Sequence, residues 1–267
     1  MQNSRKVKIQ IRGLEKSFGE KKVLDGVDLD IYEGESVAVI GASGTGKSVL
    51  IKHVIGLLRP DNGMVTVDDI NVQDLSGYEL QEFMCRFGML FQGGALFDSM
   101  SVFDNVAFPL RERGVRDEDQ IRKRVDEMLN LVDMDNSGNL MPSDLSGGMR
   151  KRIGLARALA PEPNIMLYDE PTTGLDPVVG GVIDRLIVRT RDRFHVTSIT
   201  ITHDIRSAYR IAHRIAMLYN GKIIKIGTPE EMRSCSIPEV EEFVADRTAH
   251  LENNLFQAGN SGFKGGN

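Results

Sequence analysis

The glycine-rich segment from Gly41 to Ser48 constrains this chain more than any other stretch. It follows an apolar run over Ser36 to Ile40 and precedes a stretch with helical character from Val49 to Leu58. Strand, glycine-rich loop and helix form the setting in which the pattern G-x-x-x-x-G-K-[ST] binds phosphate, and the segment meets that pattern in full. The sequence therefore predicts a phosphate-binding loop, and a glycine-rich turn without a ligand is the less favoured alternative.

Each part of this loop has an expected role. The glycines let backbone N–H groups turn inward around an anion, and the helix beginning at Lys47 adds the positive end of its dipole. Lys47 can reach the β- and γ-phosphates, and the Ser48 hydroxyl can ligate Mg²⁺. The nucleotide-binding residues predicted here are Gly41, Ala42, Ser43, Gly44, Thr45, Gly46, Lys47 and Ser48.

Composition limits the class of protein. The chain has 267 residues, 41% of them hydrophobic, which predicts one large or two small globular domains. Its formal net charge of −5 argues against a nucleic-acid partner. No apolar run approaches the ~20 residues that cross a bilayer, and Met1 to Lys6 lack a signal-peptide core, so we expect a chain that is soluble by itself. Cys85 and Cys235 match no metal or redox spacing and are expected to be free thiols in a reducing compartment.

Two single residues are candidates with open alternatives. Phe18 lies in a predicted polar turn upstream of the loop, where an aromatic ring can stack on adenine or be an ordinary surface side chain. Gln92 follows an apolar strand and precedes the pair Gly93-Gly94, on which its amide can move toward a metal or a water. Taken alone, that segment favours an ordinary loop glutamine.

A second glycine-containing helix start lies well downstream of the first. Leu145 to Met149 opens a predicted helix from Arg150 to Ala160, with Ser146 as a good N-cap. Bare glycine N–H groups at a helix start can bind an anion. Taken alone, however, the segment favours a capping turn without a ligand.

Acidic residues end one apolar strand, and a histidine ends another. The strand from Asn164 leads into Asp169 and Glu170, and a buried strand rarely ends so without a cation nearby. Asp169 suits a Mg²⁺ shell, and Glu170 suits polarising a water for in-line attack. His203 follows the strand from Val196 to Thr202, at the strand end that faces ligands in such sheets. A structural histidine is the alternative unless a phosphate lies near.

These motifs stand in the order seen in ATP-binding cassette (ABC) ATPases, and residues 7–235 resemble that family. Gly41–Ser48 resembles the family's Walker A motif, Gln92 its Q-loop and Leu145–Gly148 its signature. Asp169-Glu170 resembles its Walker B motif, Leu175-Asp176 its D-loop and His203 its switch histidine. Phe18 resembles its adenine-stacking aromatic. The resemblance implies an α/β P-loop NTPase fold with a RecA-like mixed sheet, an antiparallel β subdomain and a helical subdomain at about 98–160. It also implies an enzyme that hydrolyses ATP with Mg²⁺.

The family's residue roles carry over to matching positions. They imply catalytic roles for Glu170, His203 and Gln92, and metal contacts from Ser48, Gln92 and Asp169. They add nucleotide contacts from Phe18, Ser146, Gly147, Gly148 and Asp176. In the family the signature residues bind ATP held by the other subunit, which implies a homodimer with two shared sites. Met149 stands where the family usually has glutamine, which puts the contact made by that glutamine in question.

The flanks of two motifs, Leu90–Phe97 and Met141–Met149, resemble the branch that powers Mla-type phospholipid transport, where Met149 is typical. This resemblance implies a peripheral subunit on the cytoplasmic face of the bacterial inner membrane that helps maintain outer-membrane lipid asymmetry. The implied partners are separate transmembrane permease subunits, an Mce-type lipid-binding subunit and a small STAS-domain protein, with no nucleic acid. Residues 236–267 would form a C-terminal extension that contacts a partner, although a disordered tail is the alternative. An importer ATPase for a small polar solute would share all the nucleotide motifs.

Overall fold

The computed structural model describes residues 6–245, which contain both strands and helices. The strands are β1 (Val7–Phe18), β2 (Lys21–Tyr32), β3 (Ser36–Ile40), β4 (Asn62–Val67), β5 (Ile70–Asn71), β6 (Phe87–Leu90), β7 (Ile165–Asp169), β8 (Thr197–Thr202), β9 (Arg214–Tyr219) and β10 (Lys222–Gly227). The helices are α1 (Lys47–Val54), α2 (Gly77–Met84), α3 (Val102–Glu112), α4 (Glu118–Leu131), α5 (Gly147–Leu159), α6 (Pro177–Phe194), α7 (Ile205–Ile211) and α8 (Pro229–Arg233). A further helix, α9, covers residues 238–245.

The strands form a mixed sheet and an antiparallel sheet, as predicted. The six-stranded sheet has the order β10-β9-β3-β8-β7-β6, with β10 antiparallel to β9 and the other neighbours parallel. All five residues of β3 are buried, which explains its unbroken apolar run. The antiparallel sheet has the order β2-β1-β4-β5.

The prediction that Phe18 lies in a turn was wrong. Strand β1 continues through Lys16 and Ser17, because these residues pair with Leu24 and Lys22 of β2, and Phe18 is its last residue. The aromatic side chain is therefore held at the end of β1, where Phe18 pairs with Lys21 of β2.

Between β6 and β7, the chain is helical. Apolar residues recur there at helical spacing, and each side chain is at most 3% exposed, so this stripe packs in the core: Ile121, Val125, Leu129 and Val132. Asn105 of α3 is fully buried, and its amide donates to the carbonyl oxygens of residues 97, 100 and 101 while its oxygen accepts from the residue 97 N–H. This side chain fixes the segment after Gln92 against α3.

Strand register decides where the candidate residues meet. Ile40 pairs with Thr202, and Asp169 pairs with Ile201, so β3, β7 and β8 end at one edge of the sheet. Ligands of open α/β sheets bind outside the carboxyl ends of the strands, and that edge carries the loops that follow these three strands.

Within residues 6–245, no helix combines the length and the apolar character that a membrane span requires. The predicted C-terminal extension is described only as far as residue 245, and its remainder, with Leu255, Phe256 and Phe263, lies outside the described residues.

Candidate nucleotide-binding site

The glycine-rich loop between β3 and α1 requires glycine at two positions because other atoms approach closely. A Cβ on Gly41 would lie 2.4 Å from the carbonyl oxygen of Leu218, and one on Gly46 would lie 2.9 Å from Cγ1 of Val23. Gly46 also has a φ of +102°, in the region that favours glycine. The loop can therefore keep this shape only with glycine at 41 and 46.

Positive charge is concentrated inside this loop. Lys47 is 6% exposed, and its ammonium donates to the carbonyl oxygens of Gly41 at 2.9 Å and Ala42 at 2.8 Å. The first turn of α1 contains no acidic residue, so no side chain there offsets the positive end of the helix dipole. An ammonium and a helix N-terminus in one concave loop fit a phosphate chain.

Beyond β7, one carboxylate is held by several hydrogen bonds. Glu170 has a φ of +48°, a strained conformation of the kind found at functional sites. Its Oε2 accepts from Nδ1 of His203 at 2.8 Å, from Oγ1 of Thr173 at 2.8 Å and from the backbone N–H of His203 at 3.4 Å. This places His203 in contact with Glu170. It also identifies Thr173, which the sequence reasoning missed although it lies only three residues after Glu170.

Asp169 lies beside Glu170 in a different environment. Burial, and then the negative charge of Glu170, raise the pKa of Asp169, while Lys52 and Lys47 act against this shift. A cation bound at this carboxylate would favour its charged form.

These groups line a single cleft of about 700 Å³. A cleft of this size suits a small-molecule ligand such as a nucleotide. Its lining residues are Phe18, Val23, Ser43, Gly44, Gly46, Lys47, Ser48, Val49, Gln92, Asp169, Glu170, Thr173 and His203. The strand order thus brings together most of the residues singled out in the sequence, and Phe18 contributes a ring that is 49% exposed.

The oxygen atoms of the cleft fit Mg²⁺. Ser48 and Gln92 are exposed, and Asp169 contributes one carboxylate. Magnesium prefers such hard oxygen ligands and is usually held by one or two carboxylates together with substrate phosphates. No group of three or more His, Cys, Asp or Glu side chains among residues 6–245 could hold a metal by itself. A metal here would need oxygens from the substrate.

The second helix start lies outside this cleft. The exposed Ser146 caps α5, because its hydroxyl accepts from the backbone N–H of Met149 at 3.2 Å. A Cβ on Gly148 would lie 2.5 Å from Cγ1 of Val179, so this glycine allows α5 to pack on α6. Asp176 caps α6 in the same way as Ser146 caps α5, accepting from two backbone N–H groups at 3.0 Å. Their predicted nucleotide contacts, with that of Gly147, stay predictions.

The pair after Gln92 is less free than expected. A Cβ on Gly93 would have no neighbour within 4 Å, whereas one on Gly94 would lie 2.8 Å from the carbonyl oxygen of Arg150. Arg157 donates to the carbonyl oxygens of Gly94 and Ala95 at 3.1 and 2.8 Å. The interpretation of both glycines as a mobile pair therefore needs correction at Gly94, which is packed against α5.

Comparisons with known proteins agree on the family. Residues 24–173 match the family model described as ABC transporter. The protein mkl of Mycobacterium leprae, described as a probable ribonucleotide transport ATP-binding protein, is 42% identical over 241 residues, which are 90% of this chain and 70% of that protein. The intermembrane phospholipid transport system ATP-binding protein MlaF of Haemophilus influenzae is 39% identical over 236 residues, covering 88% of this chain and 89% of MlaF.

A solved structure is similar as well. The ATP-binding cassette MJ0796, a dimer in a post-hydrolysis state bound to ADP and Pi, has a TM-score of 0.76 and 33% sequence identity. The match covers 83% of this chain and 98% of the solved one.

Proposed function

The chain belongs to the ABC transporter family, and from this premise we propose that it is the ATP-hydrolysing subunit of a phospholipid transporter at a bacterial inner membrane. Membership makes it an ATPase that uses ATP and Mg²⁺. The observation that carries the lipid assignment is the 39% identity to MlaF over 89% of that protein.

In the proposed mechanism, Lys47 and the loop N–H groups bind the phosphate chain, and Glu170 is the general base. Hydrogen bonds from His203 and Thr173 fix one carboxylate oxygen of Glu170. The other oxygen accepts a proton from water as the water attacks the γ-phosphorus and the bond to the leaving ADP breaks. When bound, Mg²⁺ neutralises charge on the phosphates, and Ser48, Gln92 and Asp169 would hold it.

We further propose that two copies of the chain share their sites. Ser146 and Gly147 lie at a helix start outside the lining of their own cleft. A Cβ added to Gly147 would lie 3.6 Å from the Leu175 side chain, an ordinary contact distance. Seated over the nucleotide of a second copy, Ser146, Gly147 and Asp176 would complete its site. The dimeric state of the solved cassette supports this arrangement.

The segment after Gln92 is our candidate contact for a membrane permease. Phe91 and Phe97 are each 42% exposed, and two exposed rings on one short segment offer an apolar surface to a partner. The Phe97 ring packs on Phe108 with 4.9 Å between centroids, and the guanidinium of Arg157 lies 5.6 Å above it. The Phe97 ring is thus held in place on the segment that follows Gln92, a residue that lines the cleft.

The remaining partners follow from the resemblance to Mla-type systems. We propose an Mce-type lipid-binding subunit, a small STAS-domain protein, a peripheral position on the cytoplasmic face of the membrane and a partner-contacting role for residues 236–267. The second candidate function is an importer ATPase for a small polar solute. The 42% identity to mkl, described as a probable ribonucleotide transport ATP-binding protein, supports a polar solute.

The test is to purify the full-length chain with its membrane partners and reconstitute the complex into liposomes. We expect ATP-dependent movement of a labelled phospholipid and stimulation of hydrolysis by phospholipid. ATP-dependent uptake of a ribonucleotide, with no lipid movement, would favour the second function.

Within this complex, Phe97→Asp is expected to weaken permease binding by about 10-fold or more, because a charge would be desolvated at the contact. The matched control is Tyr219→Asp at the end of β9, where the aromatic ring is 39% exposed and three strands separate β9 from β6. Both variants should still bind ATP. Equal pull-down of the permease by Phe97→Asp and wild type would exclude this side chain from the interface.

A further inference from the structure

Lys151 is a buried cation that the mechanism above does not use. It lies in α5 and is 4% exposed. Its Nζ donates to the carbonyl oxygens of Thr173 at 2.6 Å and Pro171 at 2.8 Å, and to that of Glu170 at 3.4 Å. A lysine ammonium has three N–H donors, so its full donor capacity is directed at one turn between β7 and α6. Such complete pairing is what a buried charge requires.

This turn carries the carboxylate assigned as the general base. Glu170 begins it with a left-handed backbone, and Thr173 donates its hydroxyl to Oε2 of Glu170. Lys151 therefore binds the backbone of the strained residue and also the backbone of the residue that orients its carboxylate. A shift of the turn would move both together.

The same stretch of α5 contacts other parts of the site. The helix begins at the signature residues after Ser146, and the close approach of Gly94 brings the segment after Gln92 against the backbone of Arg150. One helix thus connects the proposed contact for a second copy, the proposed permease contact and, through Lys151, the turn that carries Glu170.

We propose that Lys151 is a positioning residue for ATP hydrolysis, which ties the Glu170–Thr173 turn to the signature helix and so holds the general base in register with α5. This inference rests on the proposed role of Glu170. A displacement of α5 at either of its ends would then be transmitted to the Glu170 turn by the three hydrogen bonds of Lys151 rather than by loose packing.

Protonation of Lys151 gives a second readout. Burial lowers the pKa of Lys151 to about 8, while the charge of Glu170 acts in the opposite direction. The other charged groups nearby are engaged elsewhere: Arg150 and Arg152 donate to carbonyl oxygens of residues 145 and 133, and His203 contacts Glu170. The ammonium has three donors and the neutral amine two, so the contact is complete below the pKa and weakens as pH rises through it.

The experiment measures steady-state kcat and KM for ATP in the full-length chain. Lys151→Met keeps the length of the side chain without donors, and we expect kcat to fall by about 10-fold or more with KM changed by less than about 3-fold, as for a misplaced catalytic group. Lys151→Gln keeps two donors that do not titrate, so it should recover part of kcat and lose the alkaline limb of the wild-type pH profile. Arg152→Met, on the same helix, is the control and should leave kcat unchanged.

Wild-type kcat in a folded Lys151→Met variant would overturn the inference. If that variant does not fold, wild-type kcat together with an unchanged alkaline limb in Lys151→Gln would overturn it. Wild-type turnover in a Glu170→Gln variant would instead show that Glu170 is not the general base, and it would overturn the inference that rests on this role. An inactive Glu170→Gln beside fully active Lys151 variants would reject the role of Lys151 alone.

Discussion

The two glycine-containing helix starts of this chain differ in what surrounds them. At α1, the loop folds around the buried Lys47, and the carboxylates of Asp169 and Glu170 line the same cleft. At α5, the exposed Ser146 uses its hydroxyl to cap its own helix, and no charged side chain of the nucleotide cleft is its hydrogen-bond partner. The first site contains the proposed catalytic groups, whereas the second consists of a capped helix start.

Their glycines also serve different purposes. Gly46 has a positive φ and shapes the loop that would wrap a phosphate. Gly148 lets α5 pack on Val179 of the same chain, a purpose that involves no ligand. Similar glycine-rich sequences can therefore form a complete anion site or one half of a site shared between two copies, which we call a half-site. The charged groups that the fold places nearby decide which of the two is formed. In the proposed function, the α1 cleft therefore binds ATP by itself, while the α5 start contacts the nucleotide of another copy.

The largest effect should come from the charge that only the α1 cleft contains. Glu170→Gln keeps the shape of the side chain and removes the base, so hydrolysis should drop by about 10²-fold or more while ATP binding is retained. Phosphate release measures the first quantity and nucleotide titration the second. Glu162→Gln, at an exposed carboxylate outside the cleft, is the control. Turnover within a few-fold of wild type would remove Glu170 from the mechanism.

A smaller loss of hydrolysis is expected when the half-site at the start of α5 is blocked. Ser146→Arg should leave ATP binding in the same chain intact, because Ser146 does not line that cleft. It should prevent ATP-driven dimer formation and lower hydrolysis by about 10-fold or more, since a positioned contact to the transferred phosphate is lost. Ser143→Arg, at an exposed position just before the signature, is the matched control.

Mixing variants gives this comparison its sharpest form. A dimer of one Ser146→Arg chain and one Lys47→Ala chain has one intact shared site and one doubly altered site. It should recover part of the activity that each variant lacks alone. No recovery in the mixture, or normal dimer formation by pure Ser146→Arg, would contradict shared sites.

The sequence predicted the α1 cleft more fully than its surroundings, for physical reasons. Phosphate binding by a loop requires certain residue types at fixed spacing in one continuous stretch. The carboxyl ends of parallel strands also meet at one edge of a sheet. For these two reasons, Gly41–Ser48, Asp169 and His203 could be assigned to one site without coordinates. The antiparallel and mixed sheets were expected from the resemblance to ABC ATPases, and the structure contains both. These predictions were confirmed for the fold.

Contacts between distant segments could not be predicted in this way. Lys151 stands at a buried position of α5, in helical register with Gly148 and Leu155, and a charged residue in such a stripe is a signal that could have been noticed. Its partners are backbone carbonyl oxygens of a turn that is distant in sequence. The left-handed backbone of Glu170 sets the position of this turn, and no residue pattern encodes that conformation. Gly94 was misread for the same reason, because its neighbour is the backbone of Arg150.

The smallest expected effect concerns Phe18 at the rim of the α1 cleft. Its ring is 49% exposed and lines the cleft, with Nζ of Lys16 5.7 Å from the ring centroid. Aromatic stacking contributes about 0.5–1.5 kcal/mol, so Phe18→Ala should weaken ATP binding by roughly 2- to 10-fold with kcat nearly unchanged. Phe18→Tyr keeps the stacking face and should bind as wild type. Tyr219→Ala controls for the loss of an exposed aromatic ring outside the cleft lining, since Tyr219 is 39% exposed. Equal dissociation constants for wild type and Phe18→Ala, measured by nucleotide titration, would make Phe18 an ordinary surface side chain and leave the α1 cleft as a phosphate site alone.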